Sequence, residues 1–242
     1  MGEKPNRTLV LCSRGVTSFQ KQVLKDLIRL LPHSKKESKI DRKSHYSALH
    51  DLAQMHSCNN ILYLECRRKI SYLWLAHYPT GPSVKFLVQN LHDSSELRLT
   101  GNCLKASRPI LSFDDSFKKE AHLALIQQMF MQTFATPKDH PKAMPFIDHV
   151  FSFSQVFGQI YFRNFEVTCM GKKEPSLVEI GPRFCLTVVK VLDGVVCGET
   201  LYKNGNFIPP RRQLAEREVK QTRKKAKKRE GDEVIGDELY GD

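Results

Sequence analysis

A pattern that recurs after one hundred residues constrains the fold more than any other feature of this sequence. Gly81-Pro82 stands before the apolar run 84–88, and Gly181-Pro182 stands before the apolar run 184–188. Such a repeat indicates an internal duplication, in which two similar units share a core. The alternative is coincidence, because a Gly-Pro turn in front of a strand is a common combination.

The alternation of apolar and polar residues predicts a mixed α/β (α+β) fold, in which each half begins with a strand followed by helix and then continues with strands. In the first half we expect a strand at 8–12, a helix capped by Thr17 or Ser18 and ended by Pro32, a helix at 44–56, and strands at 60–65, 71–76 and 84–89. In the second half we expect a strand at 109–113, one helix capped by Asp114 or Asp115 that carries Phe117 to Phe134, and strands at 148–153, 159–167, 177–180, 184–192 and 196–202. The predicted divisions are an arm at 1–6, halves at 7–100 and 101–205, and a tail at 206–242.

The net charge of +12 predicts a polyanionic partner, and most of it lies outside the tail. Residues 211–242 hold ten basic and eight acidic residues, so they contribute +2, and the other 210 residues contribute +10. A nuclear-targeting signal alone would not require a basic body, which favours nucleic acid as the partner. The basic run 211–229 fits either a nuclear signal or a helix that threads into a folded nucleic acid, and we expect the acidic end to be disordered.

The seven cysteines are odd in number and include no C-x-x-C pair, so a disulfide framework is not expected. No window approaches the apolar length of a membrane span, and the first residues do not resemble a signal peptide. We therefore expect a soluble protein of the cytosol or nucleus, without contact to a membrane.

A search for catalytic chemistry finds no phosphate-binding loop, dinucleotide fingerprint, nucleophile elbow or H-E-x-x-H metal pair. Asp114-Asp115 could bind Mg²⁺ but is more typical of a helix cap. Glu65 and Glu179 look isolated, and three histidines near the second helix do not share a face. Because these motifs are absent, we expect no enzymatic activity, metal or cofactor. The rival interpretation, a processing nuclease, would require divalent-metal-dependent RNA cleavage by the purified protein.

Basic residues near aromatic ones are the stronger signal, because phosphates bind Lys and Arg while unpaired bases stack on rings. Lys21, Lys25 and Arg29 fall on one stripe of the first helix, which alone is also typical of a solvated face. Tyr161, Arg163 and Phe165 share a strand in which Phe162 is expected to be core. Further basic positions lie in the loop 35–43 and in the turn 67–69.

Several segments, in their order and spacing, resemble the Brix-domain family of ribosome-biogenesis proteins over roughly residues 7–202. The segments are Ser13-Arg14-Gly15, 26–32, 77–83 with Phe86, 108–113, 160–163 and above all 177–183. The resemblance implies two pseudo-duplicated halves, each similar to the anticodon-binding domain of class II aminoacyl-tRNA synthetases, followed by a basic C-terminal helix or tail. Members of this family usually carry a longer N-terminal extension. The six residues before the match therefore suggest a shortened form of such a protein.

The same resemblance implies a non-enzymatic, nucleolar role in assembly of the large (60S) ribosomal subunit and in rRNA processing. The expected partners are pre-rRNA, an EBNA1-binding protein-type assembly factor and other pre-60S proteins. The alternative is a protein-interaction scaffold without direct RNA recognition. Arg14 and Arg183 match basic positions of the family, although Arg183 could instead brace the Gly-Pro turn. The RNA-binding candidates are Arg14, Lys21, Lys25, Arg29, Lys35, Lys36, Arg67, Arg68, Lys69, Arg163, Arg183, Arg211, Arg212, Lys224 and Lys225.

Overall fold

The computed structural model describes residues 6–40, 45–67, 70–96, 98–138, 140–168 and 175–212. Its first half contains β1 (Thr8–Cys12), α1 (Ser18–Leu30), β2 (Ser34–Lys36), α2 (His45–Met55), β3 (Asn60–Arg67), β4 (Ile70–His77) and β5 (Ser83–His92). Its second half contains β6 (Pro109–Phe113), α3 (Ala121–Phe134), β7 (His149–Val156), β8 (Gln159–Thr168), β9 (Ser176–Glu179), β10 (Arg183–Leu192) and β11 (Thr200–Lys203). The predicted mixed α/β fold class is confirmed.

All eleven strands form one sheet, in the order β2-β1-β3-β4-β5-β10-β8-β7-β6, with β11 beside β10 and β9 beside β8. Each half starts with a parallel pair, β1 with β3 and β6 with β7, and continues with antiparallel neighbours. The halves meet where β5 pairs with β10 in antiparallel fashion. The repeated strand order agrees with an internal duplication, whereas the likeness of each half to an anticodon-binding domain stays a prediction.

Helices α1 and α3 cover one face of this sheet and enclose the larger core. The apolar residues of α1 recur at helical spacing, and Thr17 forms a capping box with Gln20 at its start, as the sequence predicts for either Thr17 or Ser18. From the second half, Phe130 of α3 stacks on Phe86 of β5 with 5.8 Å between ring centroids. The core is therefore shared between the two halves.

The opposite face of the sheet has a smaller core beneath α2. Leu49 and Ala53 of α2 are fully buried there, against the strands of the first half, and Val195 and Val196 close one side. This core includes no described residue of β6, β7 or β8. Among the described residues, no helix therefore covers this part of the sheet in the second half.

Three predicted elements differ from the structure. Residues 34–36, expected in a loop, form the edge strand β2 because they pair in parallel with β1. The single helix expected after β6 is wrong: a 3-10 turn at Asp115–Lys118 precedes α3, and Glu120 between them is extended. The last predicted strand is shorter, because Gly194 N–H donates to the Cys197 carbonyl in a turn before Thr200.

The chain divides after Asn204 into two units. Of the second unit the structure describes residues 205–212, in which a helical segment begins at Pro210. The candidates Lys224 and Lys225, and most of the predicted tail, lie outside the described residues. Among the described helices, none combines the length and apolar character needed to cross a bilayer.

Candidate nucleic-acid interface

A groove at the carboxyl end of β1 brings together residues of β1, α1 and β2 and of the segments that follow β1 and β2, all between positions 10 and 39. It encloses about 510 Å³ between α1 and the segment that follows β2. The carboxyl ends of parallel strands are common ligand sites in α/β sheets. The basic residues that line this groove are Arg14, Lys21, Lys25, Lys36 and Lys39.

The electrostatics of the groove are dominated by these cations. Contact with Lys39, through a side-chain hydrogen bond and through its charge, lowers the pKa of Lys21. Burial raises the pKa of the Cys12 thiol, and the charges of Lys39, Lys21 and Lys36 act in the opposite direction. Cations held this close favour a bound anion, because an anion relieves their mutual repulsion.

Glu37 is the acidic residue that lines the groove, and its carboxylate is engaged by protein groups. The backbone N–H of Ser38 donates to Glu37 Oε1 at 2.7 Å, and His56 Nε2 lies 2.5 Å from Oε2. These hydrogen bonds, led by that of Ser38, lower the pKa of Glu37 although burial acts against them. The carboxylate thus offsets one of the five cationic charges and leaves the groove positive.

A second basic hollow lies along α1 toward its carboxyl end. It has a volume of about 660 Å³, and its basic residues are Lys25, Arg29, Lys105 and Lys142. Lys25 lines both hollows, so the two join into one basic surface along a helix about 20 Å long. The predicted stripe of Lys21, Lys25 and Arg29 therefore borders this surface.

Arg163 and Arg183 lie together on the open face of the second half. Both contact Glu179 Oε2, at 3.8 Å from Arg163 Nη1 and 3.7 Å from Arg183 Nη1. Glu179 is therefore not isolated, as the sequence suggested, because the pairing of β8 with β9 and the turn before β10 bring both arginines to it. The Arg183 contact spans the Gly181-Pro182 turn, as expected if Arg183 braces that turn.

Arg67 belongs to a different cluster, around the buried carboxylate of Glu65. The Arg67 Nε–H donates to Glu65 Oε1, Trp74 Nε1–H donates to Oε2 at 3.1 Å, and Lys85 Nζ lies 3.4 Å from Oε2. The interpretation of Glu65 as isolated is also wrong, since cross-strand pairing surrounds it with donors. The neighbouring candidates Arg68 and Lys69 lie outside the described residues.

Of the remaining candidates in the first unit, Lys35 lies away from the groove. Lys35 follows the alternation of β2 to the other face, where its charge acts on the Cys58 thiol. Arg211 and Arg212 are exposed in the second unit. Asp114 does not cap a helix with its side chain, which accepts a hydrogen bond from Ser116 Oγ at 2.8 Å instead. Among the described residues, no group of three or more His, Cys, Asp or Glu could hold a metal ion.

Sequence reasoning missed part of the basic surface. The sequence places Lys39 in a basic loop but does not single it out as a contact, and it gives no signal for Lys105 or Lys142. Both of the latter lie in irregular segments, which hydrogen bonds such as Met144 N–H to the Ala106 carbonyl hold side by side. No local pattern in the sequence signals that these segments meet α1.

Comparison with known proteins identifies a family whose members are similar to this chain. A model of the Brix domain matches residues 13–190. The chain is 44% identical over 205 residues to the ribosome biogenesis protein BRX1 homolog of Homo sapiens, covering 84% of this chain and 57% of that protein. The corresponding protein of Caenorhabditis elegans is 46% identical over 206 residues, which cover 84% of this chain and 58% of that protein.

Two further comparisons extend this finding. The ribosome biogenesis protein BRX1 of Saccharomyces cerevisiae is 44% identical over 214 residues, covering 84% of this chain and 74% of that protein. The crystal structure of a probable ribosomal biogenesis protein from Aeropyrum pernix K1 matches with a TM-score of 0.50 and 18% identity, covering 75% of this chain and 96% of that one. At that identity the likeness concerns the fold alone.

Proposed function

Because the chain belongs to the Brix-domain family, we propose that it is a ribosome-biogenesis factor that acts by binding pre-rRNA and a protein partner. We assign it to assembly of the large (60S) subunit in the nucleolus, without an enzymatic step. The names of the BRX1 relatives support ribosome biogenesis. The chain spans 57% of the length of the human relative, so the activity of the whole protein is part of the proposal.

The observation that carries the proposal is the basic surface along α1. Arg14, Lys21, Lys25 and Lys36 were selected from the sequence, and the structure gathers them in one groove with Lys39. Lys25 and Arg29 continue the surface toward Lys105 and Lys142. An RNA backbone that follows α1 meets a series of cations, which suits contacts to phosphates more than readout of bases.

A separate apolar surface supports a protein partner. Leu104 and Met144 are 57% and 51% exposed, and Phe146 and Ile147 are 56% and 61% exposed. Their two segments are joined by hydrogen bonds, including Arg108 N–H to the Phe146 carbonyl at 2.8 Å. Exposed apolar residues in one place favour a protein contact. We propose that an EBNA1-binding protein-type assembly factor, or another pre-60S protein, binds here.

The test removes three charges from the groove with the substitutions Lys21→Gln, Lys25→Gln and Lys36→Gln. Affinity for a structured pre-rRNA transcript is measured across a series of salt concentrations. Each phosphate contact contributes about 0.7–0.9 to the slope of log affinity against log salt concentration. We expect weaker binding and a slope reduced by about two.

The matched control carries Lys118→Gln, Lys119→Gln and Lys203→Gln, which remove the same charge from exposed positions away from the groove. We expect its slope to stay close to that of the unaltered protein. Equal losses in both triple variants would show that only net charge matters, and would contradict a specific surface along α1. An unaltered protein that binds no RNA would overturn the proposed function itself and favour a scaffold role.

A further inference from the structure

The part of the second half's sheet that no described helix covers carries a row of side chains along β8. Ile160, Phe162 and Asn164 are buried on the face of α3, so alternation places Tyr161, Arg163 and Phe165 on the open face. Arg163 is exposed, and both aromatic residues are half-buried. The repeat along a strand separates successive members of this row by about 6.8 Å.

Small or short side chains flank the row on β7. Ser154 pairs with Tyr161, Ser152 with Arg163 and Val150 with Phe165. Side chains of this size do not cover the neighbouring rings. Within the described part of the chain, the aromatic row therefore stays partly exposed on this side.

A cavity of about 260 Å³ lies beside this row, between β8, β10 and the end of β5. Its lining includes Tyr161, Arg163, Arg183, Asn90 and Cys185. It is smaller than the roughly 300–1,000 Å³ of pockets that enclose a whole small ligand. A single base of a longer strand is a better match to this size.

The charge of the open face favours an anion. β6, β7 and β10 contain no acidic residue, and Glu166 of β8 alternates to the other face, where it accepts from Asn102 N–H. Arg163 and Arg183 share the single carboxylate of Glu179, which leaves a net positive charge. Each guanidinium has five N–H donors, so one shared contact leaves donors for phosphate oxygens.

The hairpin that joins β7 to β8 carries a further aromatic residue, four positions before Tyr161. Phe157 is 100% exposed and has a φ of 50°, and Gly158 follows with a φ of 75°. Two positive φ angles define a type of tight turn that favours Asn-Gly, so a phenylalanine here is strained as well as exposed to water. Strain of this kind at an exposed ring points to a contact made by the ring.

We propose that this open face is a second RNA-binding surface, which takes an unpaired RNA segment by stacking bases on Tyr161, Phe165 and Phe157 and holding phosphates with Arg163 and Arg183. Rings stack on bases that are not enclosed in a duplex, which excludes A-form RNA as the ligand of the row. The two arginines favour RNA over a protein partner, because they place cations for phosphates between rings that can stack on bases. The inference rests on the proposed function and names the class of RNA that this surface binds.

The test compares a short unstructured RNA with the same RNA annealed to its complement. The variant Tyr161→Leu with Phe165→Leu removes both rings and keeps apolar side chains. Loss of a stacked base weakens binding by about tenfold. We expect at least this loss for the unstructured RNA and no change for the duplex.

A second variant, Phe157→Asn, separates binding from folding. Asparagine adopts a positive φ more readily than phenylalanine, so the variant should be as stable as the unaltered protein or more stable in urea. We expect it to bind the unstructured RNA about tenfold more weakly all the same. If both this variant and the Tyr161→Leu, Phe165→Leu variant bind the unstructured RNA with unchanged affinity, the inference is wrong. A protein partner that binds this face would not rescue it.

The triple variant of the α1 groove distinguishes this inference from the proposed function. We expect it to weaken binding of both RNAs, because phosphates are present in each. If only the groove variant loses affinity, the open face is not an RNA site and the proposed function stands. If the unaltered protein binds neither RNA, both fail.

Discussion

The ring of His33 lies 2.9 Å from the backbone carbonyl oxygen of Thr133, and this contact joins the turn after α1 to the last turn of α3. A carbonyl only accepts, so Nε2 of His33 is the protonated nitrogen and Nδ1 is bare. Among the described residues, the buried Nδ1 has no hydrogen-bond partner. A second proton on this ring would therefore have no acceptor.

This environment makes folding dependent on pH. Burial lowers the pKa of His33 from 6.5 to about 4, although the Thr133 carbonyl acts in the opposite direction. The unfolded chain takes up a proton near pH 6.5 and the folded chain only near pH 4. The stability is thus complete above pH 6.5 and falls as the pH drops through that window, by about 3 kcal/mol.

The variant His33→Gln keeps a donor for the Thr133 carbonyl but does not titrate. We expect its free energy of unfolding to fall less between neutral pH and pH 4 than that of the unaltered protein, as measured by urea unfolding followed through Trp74 fluorescence. The control His50→Gln, at a half-buried histidine beside Tyr78, should keep the full pH dependence. Parallel pH profiles for all three proteins would show that His33 takes up no proton in this range.

The buried carboxylate of Glu65 should make a large contribution to stability. Burial raises its pKa, but the hydrogen bond from Trp74 and the charges of Lys85 and Arg67 more than offset burial, so the pKa lies below the usual 4.5. Lys85 is half-buried and lies 4.8 Å from the centroid of Trp74. Each group depends on the other, because a buried charge without its partner is strongly destabilising.

We expect Glu65→Gln to lower the free energy of unfolding by about 3–5 kcal/mol at neutral pH, since it leaves Lys85 without its counter-charge. The unaltered protein should lose this contribution as the pH falls below 4.5 through the lower folded pKa. Urea unfolding of the double variant Glu65→Gln with Lys85→Met tests the cause. Recovery of much of the loss supports the ion pair, and a double variant as unstable as the single one contradicts it.

Local signals in the sequence predicted most elements but not all of their neighbours. Thr17 and the apolar spacing of α1 are readable because a helix satisfies its hydrogen bonds within one segment. Residues 34–36 have no such signal, since β2 exists through its pairing with β1. The extended conformation of Glu120, which separates the 3-10 turn from α3, is likewise not visible in the periodicity.

In the candidate site, too, some features follow from local sequence spacing and others depend on contacts between distant residues. Lys21, Lys25 and Arg29 share a stripe of α1 because they are four residues apart, which spacing alone predicts. Lys39 and Lys142 border the same surface because of the paths of their loops. Those paths are set by contacts between residues that are distant in the sequence. Glu179 meets Arg163 only through the pairing of β8 with β9, so an acidic residue that looks isolated in the sequence became the partner of two arginines.

Two glycines with positive φ should differ sharply in their tolerance of a side chain. Gly81 has a φ of +95°, and an added Cβ would lie 2.0 Å from the Asp193 carbonyl oxygen and 2.8 Å from Gly194 Cα. Gly158 has a φ of +75°, with nothing within 4 Å of an added Cβ. Alanine at either position therefore has the same cost of a positive φ. Only at Gly81 does the added methyl group also clash with neighbouring backbone atoms.

We expect Gly158→Ala to cost about 1–2 kcal/mol, the usual penalty of a left-handed residue. Gly81→Ala should cost at least about 2 kcal/mol more, because the backbone at Asp193 and Gly194 must move to admit the methyl group. Urea unfolding followed through Trp74 fluorescence measures both losses on one scale. Equal losses would mean that the segment at Asp193 yields without cost, and that its close approach to the turn at Gly81 contributes little to holding the end of β10 against β5.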